Sequence, residues 1–176
     1  MKIKINSFGE GSDKTEYHTY DQNLPQIFEN IKSLINETIL DVSVEHIGSS
    51  SIPGIGGRNV LDIAIPTMTK NHQAIRTKLK KLGFEDSPFP HYLPLLVAST
   101  RFEEKKYFIL LYIVSPDNET YKNWINFRNY MRTHPDDAKE YNDAKKQAVK
   151  DSNTRGDLYQ NAKAPFLQKI NAKIKN

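Results

Sequence analysis

Residues 44–65 read VEHIGSSSIPGIGGRNVLDIAI, and this stretch decides how the rest of the chain is read. A short apolar strand ends at Ile47 and runs into Gly48-Ser49. A turn rich in Ser, Gly and Pro follows, and then a second apolar strand that carries one acid, Asp62. A Gly-Ser turn leaves backbone N–H groups free to face a phosphate. An acid on the adjoining strand can hold a divalent cation against that phosphate. The order strand, Gly-Ser turn, strand with acid therefore points to nucleotide chemistry.

Other phosphate-binding and catalytic schemes fail on spacing. A Walker loop ends in Gly-Lys-Ser/Thr, whereas this one ends Gly57-Arg58-Asn59. The dinucleotide fingerprint must open a helix, and Gly54-Ile55-Gly56-Gly57 leads into another strand. A hydrolase elbow that starts at Gly48 needs glycine where the chain has Ile52. His46-Ile47-Gly48-Ser49 departs from the His-x-Gly-His of another adenylyl-transfer fold at its fourth position. Without further signals the segment reads equally well as a glycine- and proline-shaped connection between strands, with Asp62 paired to a neighbouring arginine.

The surroundings are those of an α+β chain read as one domain, residues 1–176. The helical stripe Leu24, Ile27, Phe28, Ile31, Leu34 and Ile35 predicts a helix over 24–36, with Asn23 as N-cap and Pro25 in the first turn. Strands are expected at 2–6, 42–47, 60–65, 95–102 and 106–114. A helix over 71–82 should end at Gly83. Residues 8–13 and 86–94 read as loops. From Thr120 the pattern turns helical, over 121–133, 135–150 and 157–175, with Pro165 expected to break or kink the last. Strands first and helices last predict a mixed β-sheet flanked by helices with a C-terminal helical segment.

Composition narrows the function. There is no cysteine, which excludes disulfides, zinc–thiolate sites and thiol catalysis and fits a reducing cytoplasm. The opening residues lack the apolar centre of a signal peptide, and no apolar run approaches the ~20 residues of a membrane span. The expectation is a soluble cytoplasmic protein with no membrane partner. The net charge of +4 is uneven: residues from Thr120 on carry twelve Lys/Arg against six Asp/Glu, the rest thirteen against fifteen. A basic C-terminal third attracts anions, or is simply a set of solvated helix faces. No interleaved aromatic pattern marks RNA binding, so nucleic acid is not the expected partner. The five histidines have no metal-ligand spacing. The oligomeric state is not legible.

The 44–65 stretch resembles the GrpB family of the nucleotidyltransferase-fold superfamily, some of whose relatives are fused to dephospho-CoA kinase. The family hallmark is roughly EHIGSTSVPGLxxKPxIDI, matched here from Glu45 through Gly54 and from Arg58 through Ile63. A second block of the form FRDYLRxHPxxAxxYxxLK matches Phe127-Arg128-Asn129-Tyr130-Met131-Arg132-Thr133-His134-Pro135, then Ala138, Tyr141 and Lys145. A third, YxxxKxxF, matches Tyr159, Lys163 and Phe166. The resemblance implies a nucleotidyltransferase-like α+β fold and a nucleotide or phosphorylated metabolite as ligand. Gly48, Ser49 and Ser50 would then cradle phosphate, and Asp62 would be the catalytic acid and hold one Mg²⁺. Arg58, Arg128 and Arg132 would neutralise charge. Arg128 and Arg132 share a helix face at i, i+4 and read either as a clamp closing over the turn or as partners of Asp136 or Asp137. His46, Tyr130, Lys145 and Lys163 complete the candidate set.

The departures from the family pattern bear on mechanism. Lys-Pro becomes Arg58-Asn59, the Asp of FRDYLR becomes Asn129, and a His-Leu-His near the last strand aligns with Leu110-Leu111-Tyr112. An active nucleotidyltransferase carries a second acid two residues beyond the first, on the same strand face. Here that position is Ala64. Two-metal transfer needs several carboxylates, and Asp62 alone does not supply them. Asp117 and Glu119 follow the last strand with nothing to aim them at Gly48. The rival expectation is a non-catalytic interaction protein that retains the fold.

Overall fold

The computed structural model describes residues 3–9, 16–88, 93–152 and 156–175. Its elements are α1 (Leu24–Thr38), β1 (Glu45–Ile47), a 3₁₀ turn (Ser49–Ser51), β2 (Val60–Pro66), a second 3₁₀ turn (Thr69–Asn71) and α2 (His72–Lys81). There follow β3 (Glu85–Asp86), β4 (Leu95–Phe102), β5 (Lys105–Val114), α3 (Glu119–Thr133), α4 (Pro135–Asp151) and α5 (Gly156–Lys175). The strands form one mixed sheet in the order β1-β2-β5-β4-β3, in which only β2 and β5 run parallel. This is the α+β class the sequence predicts, with helices flanking a mixed sheet and a helical C-terminal part.

Alternation along the central strands sorts their side chains to two faces. Leu61, Ile63 and Ile65 of β2 and Ile109, Leu111 and Ile113 of β5 point one way, against α1 and α2, and form the main core. The stripe Ile27, Ile31 and Ile35 of α1 is fully buried there. Truncating Ile31 to alanine would remove about 2–5 kcal/mol of stability. The opposite face carries Asp62 and Ala64 from β2 and Leu110 and Tyr112 from β5. Tyr121, Trp124 and Ile125 of α3 cover part of it. A third cluster joins Ile52 and Ile55 of the turn to α3, α4 and α5, so the helical C-terminal part packs directly on residues 49–56.

Several boundaries differ from the sequence reading. Asn23 occupies the N-cap position of α1 but its side chain caps nothing; Asp21 Oδ1 instead accepts from the Asn23 N–H at 3.0 Å. The strand expected over 42–47 shortens to three residues, because Asp41 has φ +58° and the chain pairs with β2 only from Glu45. Of the strand expected over 2–6, Lys2 lies outside the described residues, and residues 3–6 form only a bridge between Asn6 and Ser99. Glu85 and Asp86, the latter read as the start of a loop, pair with β4. Positions 10–13 and 89–92 of the two expected loops lie outside the described residues. Helix α5 runs unbroken through Pro165. The carbonyl that proline leaves unbonded belongs to Asn161, an exposed residue whose carbonyl water can satisfy. Helix α2 ends as expected: Gly83 takes φ +107°, and Phe84 N–H reaches the Leu79 carbonyl at 3.2 Å in a Schellman closure.

Candidate functional site

Ile47, the last residue of β1, stands opposite Asp62 in the antiparallel register. The next residue, Gly48, therefore lies over the Asp62 side chain. Gly48 adopts φ +66°, ψ −172°, a region open essentially to glycine. A Cβ there would stand 2.9 Å from the Asp62 Cβ and nearer still to its Oδ2. The Gly-Ser turn thus has a stated physical reason: only a residue without a side chain lets the turn close on the acid.

The turn is fixed from two sides. On the outer side, Ser51 Oγ donates to the Gly48 carbonyl at 2.6 Å. Arg132 donates twice to the Ser51 carbonyl, at 3.0 and 2.6 Å. Arg128 Nη1 reaches both Glu45 Oε2 and the His46 carbonyl at 2.9 Å. On the inner side, the buried Lys145 of α4 donates to Ser49 Oγ at 2.7 Å and to the Gly56 carbonyl. Asn142, also on α4, accepts from the Gly56 N–H at 3.0 Å and from Tyr17 Oη at 2.6 Å. Residues 16–20 cross this loop, with His18 and Gly57 exchanging both backbone bonds.

Between the turn, the Asp62 face of the sheet and helices α4 and α5 lies a cavity of about 230 Å³. Gly48, Ser49, Ser50, Arg58, Asp62, Lys145 and Lys163 all line it. The structure therefore gathers seven of the eleven candidate residues in one place. Arg128 and Arg132 are not among its lining residues, and neither forms a clamp over it; they brace the turn from behind. Arg128 pairs with Glu45 rather than Asp136 or Asp137. Tyr130 is remote as well, bonded to Asp137 at 2.6 Å and stacked on His134 at 3.8 Å. His46 is buried behind the turn, stacked on Phe28 and bonded through Nε2 to Ser50 Oγ at 3.0 Å. Burial first, then the charges of Arg132 and Arg128, pull its pKa down to about 3. It is a neutral imidazole that orients Ser50.

The electrostatics of the cavity are lopsided. Arg58 Cζ lies 5.1 Å and Lys163 Nζ 4.5 Å from the centre of the Tyr159 ring. Among the described residues no acid comes within ion-pair distance of either cation. Burial, then the Arg58 charge, lowers the Lys163 pKa to about 8. Burial, then Lys163 and Arg58, lowers that of Lys145 to about 7. Burial pushes the Asp62 carboxyl upward against the pull of the same three cations. Asp62 makes no hydrogen bond to any described residue.

A divalent cation can be tested against this donor set. Asp62 is the sole acid in the lining, and its neighbours on the same sheet face are Ala64, Leu110 and Tyr112. Among the described residues no three His, Cys, Asp or Glu side chains are grouped to hold a metal. The other charged side chains in the lining, Arg58, Lys145 and Lys163, are all cations. The residues do not fit a two-metal clamp, and no step through Mg²⁺ follows from them.

Some participants escaped the sequence reading. Tyr141 and Tyr159 each precede a cavity lysine by four residues, and each lysine lies over its own tyrosine ring, at 5.5 Å for Lys145 and 4.5 Å for Lys163. The repeated Tyr-x-x-x-Lys spacing on consecutive helices was the available signal. Asn142, Gly56 and the crossing segment at Tyr17 and His18 had none.

Comparison with known proteins gives a consistent result. A family model described as GrpB protein matches residues 14–173. The glutamate-rich protein GrpB of Alkalihalophilus pseudofirmus is 25% identical over 159 residues, covering 86% of this chain and 91% of that one. A UPF0157 protein of Halalkalibacterium halodurans is 24% identical over 86% of this chain and 77% of its own length. The crystal structure of conserved protein GrpB from Enterococcus faecalis shares the fold, with a TM-score of 0.75 and 21% identity over 90% of this chain and 96% of that chain. The Cid1 poly(U) polymerase aligns at a TM-score of 0.43 over 64% of this chain and 37% of its own, too slight a likeness to argue from. Among the described residues no helix is long and apolar enough to cross a membrane.

Proposed function

The chain belongs to the GrpB family, and on that premise we propose that it binds a nucleotide or phosphorylated metabolite in the cavity between the Gly48–Ser50 turn and helix α5. One observation carries this reading: Arg58 and Lys163 are held against the same tyrosine ring with no acid in ion-pair contact among the described residues, and Asp62 is the one acid that shares the cavity with them. Burial first, and then repulsion from the Arg58 charge, lowers the Lys163 pKa, so the protonated lysine is held at a cost that a bound anion relieves. A phosphate supplies the missing counter-charge and the bidentate acceptor that a guanidinium fits. With Lys145 protonated, three cations against Asp62 leave an excess of two positive charges, complementary to a phosphate dianion.

Each residue has a role in that reading. Arg58 and Lys163 meet the phosphate oxygens. Ser49 and Ser50 offer hydroxyls whose directions Lys145 and His46 set. Asp62 faces the same space as an acceptor. Nucleotidyl transfer by a two-metal route does not follow from a lone carboxylate, so the proposal is one of binding. A cytoplasmic setting, in which phosphorylated metabolites abound, fits a chain without cysteine.

Calorimetric titration with inorganic pyrophosphate tests the proposal. The unaltered protein should bind it, and Arg58→Ala or Lys163→Ala should each weaken binding about tenfold or more, the value of one charge-assisted contact. Failure of pyrophosphate, phosphate and AMP alike to bind at millimolar concentration would remove the proposal, as would binding that both substitutions leave unchanged.

A further inference from the structure

We infer that the ligand of this cavity is a small phosphate monoester bearing a hydroxyl group, of the sugar-phosphate class, taken up without a divalent cation. The inference rests on the phosphate-binding reading above and narrows it.

Three observations converge. The charge role that Mg²⁺ fills at phosphate sites built of carboxylates is already filled here by Arg58 and Lys163, with Lys145 behind them. A dication seated on Asp62 would face those three positive groups, with one carboxylate to hold it and Ala64, Leu110 and the Tyr112 ring as its neighbours on the same sheet face. Mg²⁺ at phosphate sites usually keeps one or two carboxylates together with substrate phosphates, so what weighs against it here is the three cations that surround the one acid.

The second observation is the state of Asp62. It is half-buried, lines the cavity and accepts no hydrogen bond from any described residue. A carboxylate at the wall of a cavity with no protein donor is open to a donor that a ligand brings in place of water. Phosphate oxygens are acceptors and repel it. The donor must come from another part of the same ligand, and a hydroxyl on the carbon skeleton is the group that fits.

The third is size. At about 230 Å³ the cavity lies below the ~300–1,000 Å³ usual for drug-sized ligands. It has room for a phosphate and a skeleton of a few carbons. A nucleoside triphosphate with its metal would extend out of it through its open side.

The test is titration with ribose 5-phosphate, inorganic phosphate and ATP, each in excess Mg²⁺ and in excess EDTA. Ribose 5-phosphate should bind equally, within about twofold, in the two conditions and about tenfold more tightly than inorganic phosphate. ATP should bind no better than ribose 5-phosphate. Asp62→Ala should abolish the preference for ribose 5-phosphate over inorganic phosphate while leaving the latter bound. Phosphate binding that requires Mg²⁺, or ATP bound more tightly with Mg²⁺ than ribose 5-phosphate, would overturn this inference and leave the phosphate-binding proposal standing. If none of the three binds in either condition, both fall. The Mg²⁺ and EDTA comparison uses the unaltered protein, so it decides the matter even if Asp62→Ala folds poorly.

Discussion

Gly48 and Asp62 are packed so that nothing larger than hydrogen fits between them: a Cβ on Gly48 would lie 2.9 Å from the Asp62 Cβ. Gly48→Ala must therefore distort either the turn or the strand, on top of an unfavourable φ of +66°. Strain of this kind amounts to about 1–3 kcal/mol. Urea denaturation should show a loss of that order, and a variant as stable as the parent would show that the turn does not press on the acid.

Arg128 and Arg132 should prove to be stability residues. Arg128→Ala strips a charge-assisted bond from Glu45 and another from the His46 carbonyl, with the arginine side chain only 13% exposed. Arg132→Ala frees the Ser51 carbonyl. Each should lower stability by about 1.5–3 kcal/mol. Thermal melts that stay within a degree of the parent would argue against their bracing role.

The opposite pattern is expected of the cavity cations. Lys163→Gln removes a repulsion and breaks no ion pair. The ligand-free protein should melt at the same temperature or slightly higher, and the stabilisation that phosphate confers should shrink. Function at the expense of stability is a familiar trade-off at binding sites. A marked drop in the melting temperature of the ligand-free variant would mean that Lys163 is structural.

These contrasts show what was legible in the sequence. Periodicity located α1, α2, α4, β2, β4 and β5, because burial on one face imposes a spacing on each. The Gly48–Asp62 pair was legible too, since a glycine turn and a strand acid are both visible as letters. The role of Arg128 and Arg132 was not. Their i, i+4 spacing says that they share a face of α3, but which surface that face meets depends on how α3 crosses β1 and the turn. The hold that Asn142 has on Gly56 spans 86 residues and leaves no local trace.

His46 makes stability depend on pH. Its folded pKa is near 3, well below the ordinary value of 6.5, so the unfolded chain binds the extra proton between those limits. Its stabilising contribution is complete above pH 6.5 and is lost as pH falls towards 3. Urea midpoints measured from pH 7 to pH 4 should drop, and His46→Gln should flatten the drop. An identical pH profile in the variant would show that His46 is protonated in the folded protein.

Ligand uptake should also draw protons. In the free protein Lys145 and Lys163 titrate at about 7 and about 8, and a bound dianion raises both. Near pH 8 binding should take up about one proton, read from calorimetry in buffers of different ionisation enthalpy. Affinity for a phosphate monoester should fall as pH rises from about 7.5 to 9, a range in which the ester is already almost wholly the dianion. Uptake of no proton at pH 8 would mean that both lysines are charged before the ligand arrives.

Arg58 and Lys163, the cations around Tyr159, form the phosphate-binding part of the cavity. A crystal structure of the protein grown with tungstate, an electron-dense phosphate mimic, tests that role most directly. The account predicts a tungstate in the cavity, within hydrogen-bond distance of Arg58 and Lys163 and beside the Gly48–Ser50 turn. A tungstate bound instead at exposed lysines, with Arg58 and Lys163 still facing an anion-free cavity, would contradict it.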